Sequence, residues 1–245
     1  LAQFSAEVSK CHRFKYDFAD ILRKLVMCRI LFPDSKRATR EVLNDFVDAP
    51  DFSLDDIYNF LEVLSREITP LQKRLYEATR NELSRRTGVI YYDCTNYYFE
   101  IEKEDELRRY GKSKEHRPNP IVQMGMFMDA DGLPLAFCIN PGNTSEQQTI
   151  QPLEEILANE FKLSEFIVCT DAGLASIDNR LYNTTEGRNY IVTQSIPQLP
   201  GRMKDWTLEK KGWKRLGDSN DATYDISELD LDREKEHLFY RERWF

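Results

Sequence analysis

No run of eighteen apolar residues occurs anywhere in the 245-residue chain, so it has no segment with the length and character of a transmembrane helix. Cysteine is sparse and odd in number. Five widely spaced cysteines form neither a disulfide framework nor a zinc-ligand pattern, and read as buried thiols of a reducing compartment. The expected location is therefore cytoplasmic, with no membrane partner. Only three histidines are present, His12, His116 and His237, and a lone loop histidine is more often structural than catalytic. No signal-peptide pattern opens the chain and no internal repeat is present. Leu1 in place of Met reads as the start of an excised or processed piece.

The composition, with 41% hydrophobic and 31% charged residues, is that of an ordinary globular domain with length enough for a proper core. A net charge of −8 argues weakly against nucleic-acid binding, but the charge is unevenly spread. Residues 10–40 carry nine Lys/Arg against three Asp, and "RRYGKSKEHR" (108–117) carries five against one Glu. Residues 218–236 hold eight acids against two bases and account for most of the acidic balance. Two basic patches are hidden in an acidic average.

The first 86 residues read as a small helical bundle. "FKYDFADILRKLVMCRILF" sets Phe14, Phe18, Ile21, Leu22, Leu25 and Ile30 at helical spacing. Ser53 with Asp56 opens a second helix, and Thr69-Pro70 marks the start of a third. After Gly88 the pattern turns to strands. "GVIYYDCTN" is one, and "IVQMGMFMDADGLPLAFCIN" is two around the turn 129–132. A helix follows over "TSEQQTIQPLEEILANEF", with Ser145 and Gln148 placed as a capping box. The strand "EFIVCTDAG", a short helix near 174–182 and the strand "NYIVTQSI" complete a mixed α/β layer. Beyond Pro200 the periodicity fades, which suggests short strands and loops of an insertion or a flexible acidic segment. The expected division is a helical domain over 1–86, a core over 87–200 and an insertion segment over 201–245.

Two carboxylates follow apolar, β-rich runs: Asp93 after Val89-Ile90-Tyr91-Tyr92, and Asp171 after Phe166-Ile167-Val168-Cys169. Asp93 stands among residues suited to a sheet interior, where an isolated ionised carboxylate is costly unless paired, hydrogen-bonded or metal-bound. If the strands are neighbours, both carboxylates emerge at one edge. Their repulsion is then relieved by a proton or a cation. Hard divalent ions prefer such oxygens, and two of them can clamp the attacking and leaving oxygens of a phosphodiester displacement. The plainer reading is that each Asp caps a turn, as Asp171 before Ala172-Gly173 could do alone.

Taken in order, "YYDCTNYYFE", "YGKSKEHRPNP" running into "IVQMGMFMDADGLPLAF", "NPGNTSEQQTI", and "VCTDAGLAS" followed by "NYIVTQS" resemble the insertion-sequence DDE transposases. The resemblance spans residues 88–196. It implies an RNase H-like mixed sheet, with Asp93 and Asp171 as the first two catalytic and metal-binding aspartates. It also implies Mg²⁺ (Mn²⁺ as substitute) as cofactor and DNA, as transposon ends and target, as partner, and it allows a homodimer in the synaptic complex. The family's third carboxylate, a Glu in a Tyr-x2-Arg-x3-Glu pattern on a late helix, is not found. Tyr240 and Arg243 fit the first two positions, and the Glu would fall beyond Phe245; "EHLFYRERWF" reads equally well as a strand. Glu228, Glu234, Glu236 and Glu242 lack a helical apolar context.

Arg108, Arg109, Lys112, Lys114 and Arg117, between the first two strands, are the candidate phosphate contacts. The equal alternative is a solvated loop balancing Glu102, Glu104, Asp105 and Glu106. Asn143 and Thr144 read as helix caps, and the tyrosines near Asp93 as strand packing. Two rival functions share the fold: an inactive DNA-binding or multimerisation remnant of a transposase, and an RNase H-like nuclease unconnected with mobile DNA.

Overall fold

The Asp17 carboxylate accepts hydrogen bonds from the backbone N–H groups of Ala19 (2.9 Å) and Asp20 (3.1 Å), and so starts a helix at Phe18. The structure is a computed structural model that describes residues 2–184, 188–218 and 222–243. Helix α1 (Ala2–Cys11) precedes this start, and α2 runs Phe18–Leu31. The expected stripe holds for Phe18, Ile21 and Leu22 but not for Ile30, which is 75% exposed. It ends at Cys28, so the last turn of α2 stands clear of the core. After α3 (Lys36–Val42) comes α4 (Leu54–Arg66), opened by the expected capping box: Ser53 Oγ accepts from Asp56 N, and Asp56 Oδ2 from Ser53 N.

Helix α5 (Ile68–Leu83) begins one residue before Thr69, with Glu67 as its cap. Pro70 thus lies inside the first turn, where its missing N–H has no helical partner to lose. Phe4, Val8, Phe18, Ile21, Ile57 and Phe60 close the helical core, with the Phe18 and Phe60 rings 4.6 Å apart.

The strands β1 (Val89–Tyr98), β2 (Ile121–Met128), β3 (Pro134–Pro141), β4 (Ile167–Thr170) and β5 (Asn189–Val192) form one sheet in the order β3-β2-β1-β4-β5. The first three make an antiparallel meander, and β4 and β5 run parallel to β1. That order and sense make the fold mixed α/β and RNase H-like, as expected. Helices α6 (Ile150–Asn159) and α7 (Ile177–Tyr182) supply the crossovers that parallel strands require. One face of the sheet packs Ile90, Tyr92, Phe127 and Val168 against Leu153 and Leu157 of α6. The predicted capping box at Ser145 is absent. A 3₁₀ turn, Glu146–Gln148, stands there without a side-chain cap, and α6 starts at Ile150.

Burial within α6 extends to a carboxylate. Glu154 has no exposed side-chain surface; it accepts from Asn183 Nδ2 (3.1 Å), and Arg188 lies 3.7 Å away. Burial pushes its carboxyl up to about 7. The native state therefore keeps this proton at pH values where the unfolded chain has lost it, so stability falls as pH rises from about 4.5 to 7. Glu154→Gln is expected to flatten that slope in thermal unfolding between pH 5 and 8, so that the variant loses less stability than the parent as the pH rises. Unchanged slopes would assign the carboxyl an ordinary titration.

The chain divides into two compact units, Leu1–Val192 and Thr193–Phe245. The second contains α8 (Gly201–Leu208), a helix the fading periodicity did not announce, then β6 (Lys214–Arg215), α9 (Leu231–Glu234) and β7 (Phe239–Tyr240), with β6 and β7 paired antiparallel. Tyr240 therefore lies on a strand. Arg241 stacks on Trp206 (4.8 Å) and Trp213 (5.9 Å) and donates to the carbonyls of Trp206 and Glu209. Among the described residues no helix is long and apolar enough to cross a membrane.

Candidate active site

Inward and outward positions alternate along β1. Ile90, Tyr92, Cys94 and Asn96 are buried, while Tyr91, Asp93 and Tyr97 face outward. The expectation of an interior Asp93 is corrected: its side chain is 68% exposed. The strand is also longer than predicted, so Asp93 lies at its middle rather than near its end. A sheet buried on one face accepts a carboxylate on the other at little cost.

The parallel ladder between β1 and β4 pairs Val89 with Ile167, Ile90 with Val168 and Tyr91 with Cys169. The last pair of that ladder, Tyr91 with Cys169, lies two residues before Asp93 on β1 and two before Asp171, which follows the last residue of β4, so a continuation of the register would bring the two aspartates opposite each other. Parallel partners in register point to one face, and both residues are exposed. Asp93 Oδ1 accepts from the Cys94 N–H (2.8 Å), and Asp171 Oδ1 from the Leu174 N–H (3.1 Å). The turn-capping role foreseen for Asp171 is thus present, and it leaves the second oxygen of each carboxylate without a hydrogen bond among the described residues.

Two hard carboxylates side by side suit a divalent cation that takes its remaining ligands from water and phosphate, the usual habit of Mg²⁺. A closed protein cage is not formed: among the described residues no group of three or more His, Cys, Asp or Glu side chains could hold a metal ion. Glu234 is engaged by His237 Nδ1 (3.0 Å) and Arg215 (3.5 Å) within the second unit.

The five cations foreseen between β1 and β2 divide into two sets. Arg108 forms a salt bridge with Asp105 and lies 5.6 Å from the Phe99 ring centre; its hydrogen bonds to the Asp105 carboxyl hold that group down at about 2. Arg109 sits 3.7 Å from Glu104, and Arg117 sits 3.8 Å from Glu115 and 5.0 Å from the Tyr98 ring centre. These three arginines balance acids and cover aromatics of their own loop. Lys112 has no acidic partner among the described residues and lines a cleft of about 450 Å³ with Asn143, Thr144, Glu146, Gln147 and Gly173. Lys114 reaches Asp93 (3.9 Å) and Glu146 (3.9 Å) and donates to the Cys94 carbonyl.

The cleft borders the Asp171 turn at Gly173 without containing either aspartate. Glycines shape its floor. A Cβ at Gly142 would meet the Ile121 and Arg109 carbonyl oxygens at 2.2 and 2.4 Å, and one at Gly111 the Gly142 oxygen at 2.0 Å. Only glycine allows these two segments to cross so closely.

Sequence reasoning passed over Glu146 and Gln147, although both lie in the quoted "NPGNTSEQQTI". Gln147 Nε2 donates to the Gly173 carbonyl (3.0 Å), tying the 3₁₀ turn to the Asp171 loop. Thr149 Oγ1 donates to the Glu146 carbonyl (2.7 Å) and meets the Tyr92 hydroxyl at 2.5 Å, tying the same turn to β1.

The fold of this site is that of an RNase H-like sheet, with one acidic residue on β1 and another just after the neighbouring parallel strand β4. No protein-family model matches the chain, and no curated protein matches it in sequence. Among solved structures it is similar to a piggyBac transposase synaptic complex with hairpin DNA (13% identity, 88% of this chain and 52% of that chain, TM-score 0.42). It is also similar to the Mos1 transposase paired-end complex with the left transposon end (13%, 74% and 59%, 0.31) and to the Mos1 mariner paired-end complex with Mn (13%, 73% and 59%, 0.29). The chain spans between half and three-fifths of the length of these proteins.

Proposed function

We propose that this chain is the catalytic part of a DNA transposase of the insertion-sequence DDE type, hydrolysing a phosphodiester at transposon ends and passing the freed 3′-OH to target DNA. The observation that carries the proposal is the parallel pairing of β1 and β4, whose last pair, Tyr91 with Cys169, lies two residues before Asp93 and two before Asp171. The ordered sequence resemblance over residues 88–196 supports it. Asp93 and Asp171 would hold Mg²⁺, or Mn²⁺ in its place; when bound, the ion supplies activation of the nucleophile and stabilisation of the leaving oxygen. Lys112 and Lys114 would meet the phosphates beside the scissile bond. Arg108, Arg109 and Arg117 would contribute to the wider DNA field.

The same proposal includes a helical domain over 1–86, a catalytic core over 87–200 and an insertion over 201–245. It further includes a third carboxylate outside the groups described, a homodimer in the synaptic complex and a reducing, cytoplasmic setting. Cys11, Cys28, Cys94, Cys138 and Cys169 are all free thiols, in keeping with that setting.

The test is strand cleavage of DNA carrying the element's terminal repeats, with Mg²⁺, with Mn²⁺ and with neither, in the intact protein and in its Asp171→Asn variant. Cleavage that needs the ion, Asp171 and the repeats supports the proposal. Cleavage without preference for repeats identifies a general nuclease, and repeat binding without cleavage identifies an inactive remnant.

The placement of the loop cations gives a separate expectation. Lys112→Gln is expected to reduce the slope of log affinity for DNA against log salt by about 1, the signature of one lost phosphate contact. Arg108→Ala is expected to change it less, because Asp105 already neutralises that guanidinium. Equal slopes for Lys112→Gln and the parent, measured by fluorescence anisotropy, would remove Lys112 from the DNA surface.

A further inference from the structure

Lys114 is the one cation of the β1–β2 loop whose ammonium lies between two carboxylates of the site region, 3.9 Å from Asp93 Oδ1 and 3.9 Å from Glu146 Oε1. Both separations exceed hydrogen-bond length, so neither carboxylate holds the ammonium fast. Among the described residues its direct hydrogen bond is to the Cys94 carbonyl. The supports of this seat are better fixed than the seat itself. The Lys114 N–H donates to Asn96 Oδ1 (3.2 Å), and Asn96 Nδ2 donates to the Lys112 carbonyl (3.4 Å), latching the loop to β1. On the other side, the Thr149 bridge latches Glu146 to Tyr92. Two buried β1 side chains on either side of Asp93, Tyr92 and Asn96, therefore hold the two loops that place the ammonium beside an exposed carboxylate.

We propose that Lys114 is a positioning residue, an internal counter-ion of Asp93 that gives way to a divalent cation, and that Glu146 provides the second seat to which its ammonium then moves. The inference rests on the metal-dependent reading above. Without the ion, the ammonium offsets the repulsion expected between Asp93 and Asp171. With an ion at Asp93, like charge drives the ammonium toward Glu146, a shift that a flexible four-carbon stem makes without moving the backbone. Lys114 and the ion thus compete for one carboxylate, while Glu146 keeps the ammonium within reach of a phosphate bound there.

The test is Mn²⁺ binding to the full chain without DNA, read from the electron paramagnetic resonance signal of free Mn²⁺. Lys114→Gln is expected to bind Mn²⁺ about fivefold tighter, the scale of one unit charge near 4 Å in a solvated site. Lys103→Gln removes the same charge from the same exposed loop and is expected to leave Mn²⁺ affinity unchanged. Glu146→Gln is expected to weaken binding several-fold in the parent and clearly less in the Lys114→Gln background, because its effect runs through the lysine. Lys114→Met serves as a second variant against any contribution from the new amide. Unchanged or weaker binding in both Lys114 variants overturns the proposal. So does equal tightening in Lys103→Gln, or the same Glu146→Gln penalty in both backgrounds. Mn²⁺ binding that is absent, or that survives Asp93→Asn intact, sinks the metal site itself and the counter-ion with it. Asp93-dependent binding with no Lys114 effect sinks the counter-ion alone.

Discussion

Asp171→Asn is expected to lower the rate of metal-dependent DNA cleavage by more than about 100-fold, the upper end of what losing a mere supporting group around a metal costs. Asp93→Asn is expected to do the same. The Asn amide keeps the acceptor that binds the Leu174 N–H, so the turn after β4 is retained while the charge is removed. Because Asp93 and Asp171 are both exposed, neither substitution leaves a buried group unsatisfied, and both variants are expected to unfold within about 0.5 kcal/mol of the parent. The combination is the informative part. Lost cleavage with intact stability and DNA affinity places both residues in the chemistry, whereas lost stability in Asp171→Asn would return it to the turn-capping role. Cleavage that survives in either variant would remove that residue from the mechanism.

The largest stability effect is expected far from those aspartates. Asp129 closes the β2–β3 turn with no exposed side-chain surface, and the Arg85 guanidinium that pairs with it is only 2% exposed. Asp129 Oδ1 also accepts from the N–H groups of Asp131 (3.0 Å) and Leu133 (2.9 Å), while Arg85 donates to Thr79 Oγ1 and to the carbonyls of Leu133 and Pro134 (2.9 Å each). The pair fastens the residues after α5 to the turn of the sheet. Arg85→Ala strands a buried carboxylate and is expected to cost about 3–5 kcal/mol. In urea this corresponds to a midpoint lowered by about 1–2.5 M, at slopes of about 2–3 kcal/mol/M. Arg86→Ala, which breaks an exposed pair with Asp131, is expected to cost under about 1 kcal/mol. Similar midpoints for the two variants would show that Asp129 is compensated by its turn amides alone.

Several features were legible because their causes are local. Ser53 and Asp56 announce a helix start within four residues, since each satisfies the other's backbone N–H. The alternation along 89–98 marks a strand, and Gly132, with φ at +77°, marks the turn that follows β2. Helix α8 and the true ends of α2 and α5 were not legible, because short helices and first turns are fixed by what they pack on as much as by their own residues. The face taken by Asp93 was misread for a related reason. Alternation tells which residues share a face, but which face is covered depends on where α6 returns to the sheet.

The sequence by itself determined the strands, their turn, the Ser53–Asp56 cap and the two carboxylates at matching places after apolar runs, because period, turn chemistry and capping act over a few residues. Only the tertiary structure decided that β4 lies beside β1 in the register that pairs Ile90 with Val168, since a slip of one residue would turn a whole strand's buried set to solvent. It alone brought Glu146 to Lys114 and Arg85 to Asp129 across long stretches of chain. Those meetings follow from burying one face of a sheet against helices, a condition that no single segment can satisfy alone.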